Sequence, residues 1–490
     1  MAHVLVLELA GGNDVDILDA IISRGDAFTF VTSDLASYRS QPAVAAALTH
    51  AVECLEYPGF IEEEVEGALA ERHRRLPFEA LVCMVDIRIV AAARLARRLG
   101  LPFLNPETAQ LLRDKFSVRQ RLQARGVPQA GHRLATCENE IMAAIEELGF
   151  PVLIKPCDGY ASQNVVVIEG PDDLEPWISP VPSLAAQAMD YGLGVRSNQR
   201  FVIERYLQGS FIGCDTMSVG GRHHFLGINQ KEMCPPPSFT IRGGCFVPAG
   251  PGMEAIRDYA FSLLDAVDFD FGAAHIEMMV TTDGPQLIEI NPRLVSAKIP
   301  RLMGYGLGRS VYADLVSLHL GDSDFLTQGH ERLFAVSRWI TADRIGRLNR
   351  VVLPEWSDPG IRCFEILKKE GAHVRPPFEN VDRIGYVMTA GANRRDAEAL
   401  AERWIADLQL GIAPESGLNR KSRPMGAAFA IGEVRWLSGG CLRWRVARGA
   451  GSVEELRPGA FHAGRIALGD RIFQRLEVRV IQQFLRRRCG

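Results

Sequence analysis

The sequence predicts an α/β protein of several domains, and composition and two strand patterns support this fold class. The chain has 490 residues, of which 47% are hydrophobic and 23% charged, which is ordinary for a globular protein. At roughly 150 residues per domain, this length suggests about three domains. Apolar runs alternate with helical stretches near the N-terminus, whereas strands alternate with turns from about residue 150 onward. Together the patterns predict parallel α/β and α+β units in one chain.

Residues 1–105 are predicted to form an N-terminal, Rossmann-like parallel α/β domain. Its predicted elements are three buried strands and a helix, at residues 3–9, 27–32, 79–85 and 88–99. Gly11 and Gly12 follow the first strand and invite comparison with dinucleotide-binding loops. Because the spacing GxGxxG is absent, the pair does not predict a nicotinamide site.

Residues 106–330 are predicted to form a second domain, with a lid subdomain over about 130–205. A helix is predicted over 106–126, because Pro106 stands near its start and Gly126 follows its end. The other predicted elements are three strands, a pair of strands and a helix, at residues 151–156, 164–169, 201–207, 273–293 and 309–320. The GYGLG segment that begins at Gly304 follows no predicted strand, and we interpret it as a loop.

Two further units are predicted beyond residue 330. Residues 331–412 are predicted as a C-terminal α/β lobe that closes with a helix over 394–408. Residues 413–490 are predicted as a small appended domain, in which apolar residues recur at near-helical spacing within 470–487. This apolar stripe is expected to pack against the chain's own core or against a second copy of the chain, and both alternatives stay open.

Charge and cysteine spacing argue against several function classes. The net charge is −4, so no basic surface for nucleic acid is indicated. The ten cysteines include no CxxC pair, which argues against a zinc ribbon or a thioredoxin-type site. The sequence shows no export signal and no apolar segment of membrane length, so we expect a cytoplasmic protein without membrane contact.

The segment AAHIEMMVTTDGPQLIEINPR at 273–293 is interpreted as two strands joined by a turn. A three-residue loop at 282–284 would place its glycine where a left-handed backbone is favoured. Thr281 would then pair with Pro285. The same register would pair a glutamate of the first strand with a glutamate of the second.

Glu277 and Glu289 are those two glutamates, and Asn291 lies on the same face of the second strand. Two carboxylates and an amide oxygen form a set of hard oxygen ligands suited to Mg²⁺. The alternative is a solvated polar face. The strongly apolar residues between these positions argue against it, because an unpaired buried carboxylate is costly.

Two lysines and one strand end are further candidates. Lys155 ends an apolar strand and precedes a small, polar turn whose backbone N–H groups could cover phosphates. Lys115 lies in the middle of the predicted helix. Glu204 to Leu207 closes another apolar strand, where backbone groups could be presented to a purine. A surface lysine and an ordinary strand end are the corresponding alternatives.

Taken in order, these segments resemble the ATP-grasp superfamily, mainly from Pro106 to Gly321. The matching motifs are RDK at 113–115, FPVLIKPCDGYAS at 150–162, IERYLQG at 203–209 and HIEM…LIEINPR at 275–293. Within that superfamily, the chain resembles bacterial L-amino-acid ligases and carnosine-synthase-like enzymes. The supporting segments are GINQKEMCPPPSF at 227–239, EINPRLVSAKIP at 289–300 and VVLP…VRPPFENVDRIGYVMTAG at 351–391.

The resemblance implies an ATP-grasp fold with a lid and C-terminal lobes, and a role for each matched residue. The residues implied to contact ATP are Lys115, Lys155, Ser162, Glu204, Arg205, Tyr206 and Leu207, the last four lining the adenine pocket. Glu277, Glu289 and Asn291 would bind magnesium, with manganese as a possible replacement. Arg293 would steady the acyl phosphate and the tetrahedral intermediate.

The sequence departs from the family at several positions. Ala161 and Asn164 stand where the phosphate-covering turn of relatives carries glycine, although asparagine tolerates a left-handed backbone. Phe211 stands where relatives often carry glutamate, and Asp215 is a possible substitute that would contact ATP. A histidine common in the subgroup is missing near 242–248.

The implied activity is ADP-forming ligation of a carboxylate to an amine through an acyl phosphate, on amino acids or small carboxylic acids. The alternatives are a biotin-carboxylase-like or D-Ala–D-Ala-type ATP-grasp enzyme, and a non-catalytic nucleotide-binding protein. The expected partners are small-molecule carboxylates and amines, without nucleic acid or membrane, and a homodimer is possible.

Overall fold

The computed structural model describes most of the chain up to residue 414. The described residues are 1–9, 15–159, 165–171, 200–233, 241–328, 332–377, 382–414, and the strands at 445–448 and 452–455. Ser162, most of the polar turn that contains it, and the apolar stripe at 470–487 lie outside these residues.

The N-terminal part forms a four-stranded sheet in which all neighbouring strands are parallel, as predicted. Its strands are β1 (His3–Leu7), β2 (Ala27–Thr32), β3 (Glu53–Glu56) and β4 (Ala80–Cys83), in the order β3-β2-β1-β4. The helices are α1 (Asp16–Ser23), α2 (Leu35–Arg39), α3 (Pro42–Leu48), α4 (Glu62–Arg75) and α5 (Ile89–Leu99), with a 3-10 turn at Asp86–Arg88. The prediction missed β3, because this half-buried edge strand has the short, polar sequence ECLE.

The predicted helix over 106–126 is wrong in one respect, because two helices occupy this segment. Helix α6 spans Pro106–Leu112 and α7 spans Lys115–Ala124. Asp114 separates them: its backbone is extended, and its side chain accepts a 2.8 Å hydrogen bond from the backbone N–H of Ser117. An N-cap of this kind begins a new helix. Lys115 therefore lies at the first position of a helix and not in the middle of one.

The predicted lid region contains an antiparallel sheet with its own small core. Strands β5 (His132–Ala135), β6 (Val152–Pro156), β7 (Val166–Ile168) and β8 (Phe201–Arg205) are arranged in the order β5-β8-β6-β7. Helix α8 (Glu138–Leu148) covers this sheet. Its residues Ile141 and Ile145 pack with Val152 and Ile203 in one buried cluster.

An eight-stranded sheet, antiparallel throughout, forms the centre of the molecule. Its strands are β9 (Ser210–Val219), β10 (Arg222–Met233), β11 (Ile241–Pro248), β12 (Gly272–Thr281), β13 (Gly284–Asn291), β14 (Phe334–Ile340), β16 (Ile361–Ile366) and β18 (Gly385–Gly391). The order is β13-β12-β9-β10-β11-β14-β18-β16. The sheet therefore continues across residue 330, where the sequence predicts a domain boundary.

The remaining described elements lie outside these three sheets. They are α9 (Glu254–Ala266), α10 (Ile299–Leu307), α11 (Val311–His319), a 3-10 turn at Asp324–Leu326, β15 (Gly346–Val352), β17 (His373–Val374), α12 (Arg394–Asp407), β19 (Gln409–Ala413), β20 (Arg445–Arg448) and β21 (Ser452–Glu455). Among the described helices, none is both long and apolar enough to cross a membrane.

The GYGLG segment is helical at its start, which corrects the predicted loop. Gly304 and Gly306 lie within α10, and Gly308 ends it in a left-handed conformation. A Cβ at Gly306 would lie 2.5 Å from the ring of Phe246, so glycine permits α10 to approach the central sheet closely. Glycine usually indicates a turn in a sequence, and this close packing contact has no local signal.

The N-terminal domain packs against the helices that follow the central hairpin. Ile21 of α1 and Leu315 of α11 belong to the same buried cluster. Arg24 at the end of α1 donates a 2.7 Å hydrogen bond to the hydroxyl of Ser317. These contacts hold the N-terminal domain against α11.

Candidate functional site

A cavity of about 280 Å³ lies between the lid sheet and the hairpin β12–β13. Eight of the predicted site residues line it: Lys115, Lys155, Glu204, Arg205, Tyr206, Leu207, Glu277 and Glu289. Two larger clefts, of about 490 and 810 Å³, contain none of the predicted residues. Residues far apart in sequence therefore meet at the smallest of these three spaces, and its chemistry identifies it as the candidate site.

The two lysines reach the cavity from different elements, Lys115 from α7 and Lys155 from β6. Lys115 Nζ lies 2.8 Å from Glu289 Oε1 and also donates to the carbonyl of Gly159. Lys155, on β6, is almost completely buried, and its Nζ lies 2.9 Å from Glu204 Oε2. Burial lowers the pKa of Lys155, and the attraction of Glu204 offsets this only in part.

Glu204 is held by a buried arginine, Arg119, which is not among the site residues predicted from the sequence. Arg119 Nε donates to Glu204 Oε1 at 2.8 Å, and Arg119 Nη2 donates to the carbonyl of Leu287 at 2.8 Å. Burial alone would raise the pKa of Glu204, but Arg119 and Lys155 outweigh burial and lower it to about 2. Arg119 thus ties α7 to both the lid and the hairpin. Arg119 lies four residues after Lys115, so the two side chains share one face of the helix. This spacing could have identified Arg119 from the sequence.

The hairpin pairs the two glutamates as predicted, although the loop differs. Glu277 pairs with Glu289, but Thr281 pairs with Gly284, so the turn contains two residues instead of three. A bulge next to Glu277 shifts the register by one residue and brings the glutamates opposite each other. The predicted pairing of Thr281 with Pro285 is wrong, because this irregularity has no sequence signature.

The oxygen atoms on this face fit a magnesium ion. Paired residues of neighbouring strands project to the same side, so Glu277 and Glu289 share a face with Asn291. Burial would raise the pKa of Glu277, but His275 outweighs it and lowers that pKa, which keeps the carboxylate charged. In the described part of the chain, no cluster of three histidine, cysteine or acidic side chains is suited to a metal. Two carboxylates with an amide fit Mg²⁺, which takes its other ligands from phosphates and water.

Asp215 does not reach the cavity, in contrast to its predicted contact with ATP. It lies four residues beyond Phe211, which lines the cavity, and this distance is about 13 Å along β9. Its Oδ1 lies 2.9 Å from His275 Nδ1, and Asn229 donates to its other oxygen. Burial lowers the pKa of His275, but Asp215 and then Glu277 outweigh burial and raise it to about 9. Asp215 therefore holds a charged imidazole behind Glu277.

Arg293 lies outside the residues that line the cavity and is bound by the N-terminal domain. Its Nε and Nη2 donate to Asp86 Oδ1 and Oδ2 at 2.8 and 2.5 Å. Asp86 is not among the site residues predicted from the sequence. A signal was available, because Asp86 follows a predicted buried strand at the edge of a parallel sheet where ligands commonly bind.

The end of β8 and the residues that follow it are anchored where they line the cavity. The backbone N–H of Arg205 donates to Gly131, and that of Tyr206 donates to Pro151, at 2.9 and 3.0 Å. Arg205, Tyr206 and Leu207 follow Glu204 along the wall of the cavity. The predicted adenine-binding role of this segment stays a prediction.

Two family models match the chain. An ATP-grasp domain model matches residues 148–299, and a model of the L-amino acid ligase C-terminal domain 2 matches residues 338–413. The chain therefore contains both domains, which confirms the predicted resemblance. The first match contains three of the four lid strands and the hairpin, and the second contains most of the strands that extend the central sheet.

Related proteins agree with these matches. An uncharacterized protein y4rH from Sinorhizobium fredii is 28% identical over 335 residues, which are 66% of each chain. An L-arginine-specific L-amino acid ligase from Bacillus subtilis is 24% identical over 46% of this chain and 54% of its own. The chain thus spans between about half and two thirds of these relatives.

A solved structure of an L-amino acid ligase from Bacillus licheniformis has the same fold. Its TM-score is 0.66 at 18% sequence identity, and the match covers 84% of this chain and 99% of the other. This likeness establishes the ATP-grasp fold of the chain.

Proposed function

We propose that this chain, which contains an ATP-grasp domain and an L-amino acid ligase C-terminal domain, is an ATP- and magnesium-dependent carboxylate–amine ligase. One observation carries the proposal: two lysines and two paired glutamates from four separate segments meet in one cavity. Cations and oxygen ligands arranged in this way suit the phosphates of a nucleotide and its metal ion.

The lysines would hold the phosphates and neutralise their charge. Phosphoryl transfer requires positioning and charge stabilisation more than covalent help from the protein. Lys155 is fixed by Glu204 and Lys115 by Glu289, so both ammonium groups are oriented before the nucleotide arrives. Preorganised charges of this kind stabilise the developing negative charge without a reorganisation cost.

The reaction would proceed in two steps. An oxygen of the substrate carboxylate attacks the γ-phosphorus of ATP, ADP leaves, and an acyl phosphate forms. The amine then attacks the acyl carbon, inorganic phosphate leaves, and the amine proton is released. Bound magnesium, held by Glu277, Glu289 and Asn291, would supply charge neutralisation at the phosphates. Arg293 would donate N–H groups to the acyl phosphate and to the oxyanion of the second step.

The substrates proposed are amino acids or small carboxylic acids for the acyl group, and an amino acid for the amine. The match over residues 338–413 supports this choice over the biotin-carboxylase-like and D-Ala–D-Ala-type alternatives, because that model describes L-amino acid ligases. The paired glutamates, retained together with both lysines, favour a catalytic protein over a nucleotide sensor. No protein nucleophile is needed.

A screen of substrate pairs tests the proposal. Purified protein is incubated with ATP, magnesium and pairs of amino acids or carboxylic acids while phosphate release is recorded, and products are identified by mass spectrometry. We expect ADP, phosphate and an amide in equal amounts for at least one pair. AMP and pyrophosphate would exclude the acyl-phosphate route, and turnover dependent on bicarbonate would favour the biotin-carboxylase-like alternative.

A further inference from the structure

A buried ion pair connects the N-terminal domain to Arg293. Both oxygens of Asp86 accept hydrogen bonds from the guanidinium, at 2.8 and 2.5 Å. The two side chains are only 9% and 12% exposed. A two-point contact of this kind fixes the plane of the guanidinium as well as its position.

The pairing leaves part of Arg293 available for a ligand. A guanidinium carries five N–H donors. The contacts with Asp86 use one donor on Nε and one on Nη2, and a 2.9 Å bond to the carbonyl of Leu294 uses one on Nη1. One donor remains on each terminal nitrogen. Two adjacent donors of fixed direction match the oxygens of a phosphoryl or acyl-phosphate group.

Asp86 is itself held by a buried scaffold. It begins a 3-10 turn that ends at Arg88, whose guanidinium lies 3.7 Å from the ring centre of Phe60 and whose Nε lies 3.7 Å from Glu8 Oε1. Glu8 in turn accepts a 2.7 Å hydrogen bond from the hydroxyl of Thr32. The carboxylate of Asp86 is therefore presented by a packed part of the parallel sheet and not by a free loop.

We propose that Asp86 is a positioning residue, which aims the two remaining donors of Arg293 at the transferring phosphoryl group. The proposal rests on the proposed function, and it gives the N-terminal domain a direct share in the active site. Glu277 and Glu289 also attract Arg293. Without Asp86, the guanidinium would turn toward these carboxylates and away from the phosphoryl group.

Nucleotide binding tests this without knowledge of the substrates. The dissociation constant of ADP with magnesium is measured with and without aluminium fluoride, which mimics a transferring phosphoryl group. Wild-type protein should bind ADP more tightly when aluminium fluoride is present. In Asp86→Asn, the increase in ADP affinity that aluminium fluoride causes should be smaller by roughly tenfold to a hundredfold. A small misplacement of an oriented group weakens transition-state stabilisation by about this factor. Affinity for ADP alone should stay within about twofold.

The variant Arg293→Gln and the double variant distinguish positioning from a general structural effect. If Asp86 acts through Arg293, then Asp86→Asn adds no further loss in the Arg293→Gln background. Asp86→Glu, which keeps a carboxylate, should recover part of the increase in ADP affinity that aluminium fluoride causes. Glu53→Gln is the matched control, because Glu53, on β3 of the same sheet, forms a two-point pair with Arg72 of α4, away from the cavity. It should bind like wild type.

Several outcomes would overturn the proposal. The first is that aluminium fluoride raises the ADP affinity of Asp86→Asn as much as that of wild type. The second is that the losses of the two single variants add up in the double variant. The third is that Asp86→Asn loses affinity for ADP alone by the same factor as it does with aluminium fluoride. Each of them leaves the proposed function standing if the substrate screen gives ADP and an amide. Failure of the wild-type protein to bind ADP at all would instead overturn both proposals.

Discussion

Replacing Glu204 by glutamine should destabilise the protein through the buried cluster of Arg119, Lys155 and Glu204. The pKa of Glu204 is about 2, against an ordinary value of 4.5. At about 1.4 kcal/mol per pKa unit, the charged carboxylate contributes about 3 kcal/mol of stability at neutral pH. This agrees with the range of roughly 3–5 kcal/mol for breaking a buried ion pair.

The pH dependence follows from the direction of the shift. The folded pKa lies below the unfolded value, so the contribution is complete above pH 4.5 and is lost as the pH falls toward 2. At pH 4 the folded protein keeps the carboxylate charged, whereas the unfolded chain is largely protonated. About 0.8 kcal/mol of the contribution should be lost at that pH. The stability difference between wild type and Glu204→Gln should shrink by this amount.

Urea unfolding of both proteins at pH 7 and pH 4 measures this difference. Glu147→Gln is a suitable control in the same lid, because its pair with Arg133 is about half exposed and should contribute less than about 1 kcal/mol. The reasoning is refuted if Glu204→Gln unfolds within about 0.5 kcal/mol of wild type at pH 7. It is also refuted if the difference between them does not decrease at pH 4.

Three further outcomes are expected. Glu277→Ala and Glu289→Ala should each abolish magnesium-dependent phosphate release while thermal unfolding stays near that of wild type; wild-type turnover in either would contradict the metal assignment. Hydrogen exchange across the turn predicted at 158–164, most of which lies outside the described residues, should slow when an ATP analogue and magnesium are added. The reason is that a lid closing over ATP would exclude water, and unchanged exchange would count against the lid. A chain ending at residue 414 should retain ATP turnover wherever it stays folded, since the cavity is lined by residues before 290; a folded but inactive truncation would assign residues 415–490 a part in the site.

The parts of the site that depend on local pattern were predictable from sequence. Alternating side chains and an Asp-Gly turn indicated the hairpin and its two glutamates, Glu277 and Glu289. Strand alternation also indicated the parallel N-terminal sheet. These features repeat within a few residues, so their physical causes lie within the segment itself.

The contacts between distant segments were not predictable in the same way. Arg119 and Asp86 act through partners far along the chain, at 204 and 293. The position of Asp215 depends on the distance along β9, and no neighbouring residue indicates it. Asp114 was a local signal, but the predicted long helix obscured its capping role. The two glutamates and the two lysines could therefore be identified from sequence pattern. The side chains that orient them could be identified only once the fold was known.

The continuous central sheet has a consequence for how the protein can be divided. Strand β14 covers the edge of β11, and β18 and β16 extend the sheet further. A fragment ending near residue 330 would leave β11 as an open edge with unpaired backbone groups. Gly243 and Gly244 lie on that edge and carry no side chain that could block a second strand. Open edges of this kind recruit strands from other chains and aggregate. Strand β14 and the strands that extend the sheet beyond it therefore shield this edge from self-association, and the ATP-grasp segment should remain soluble only when it is expressed together with them.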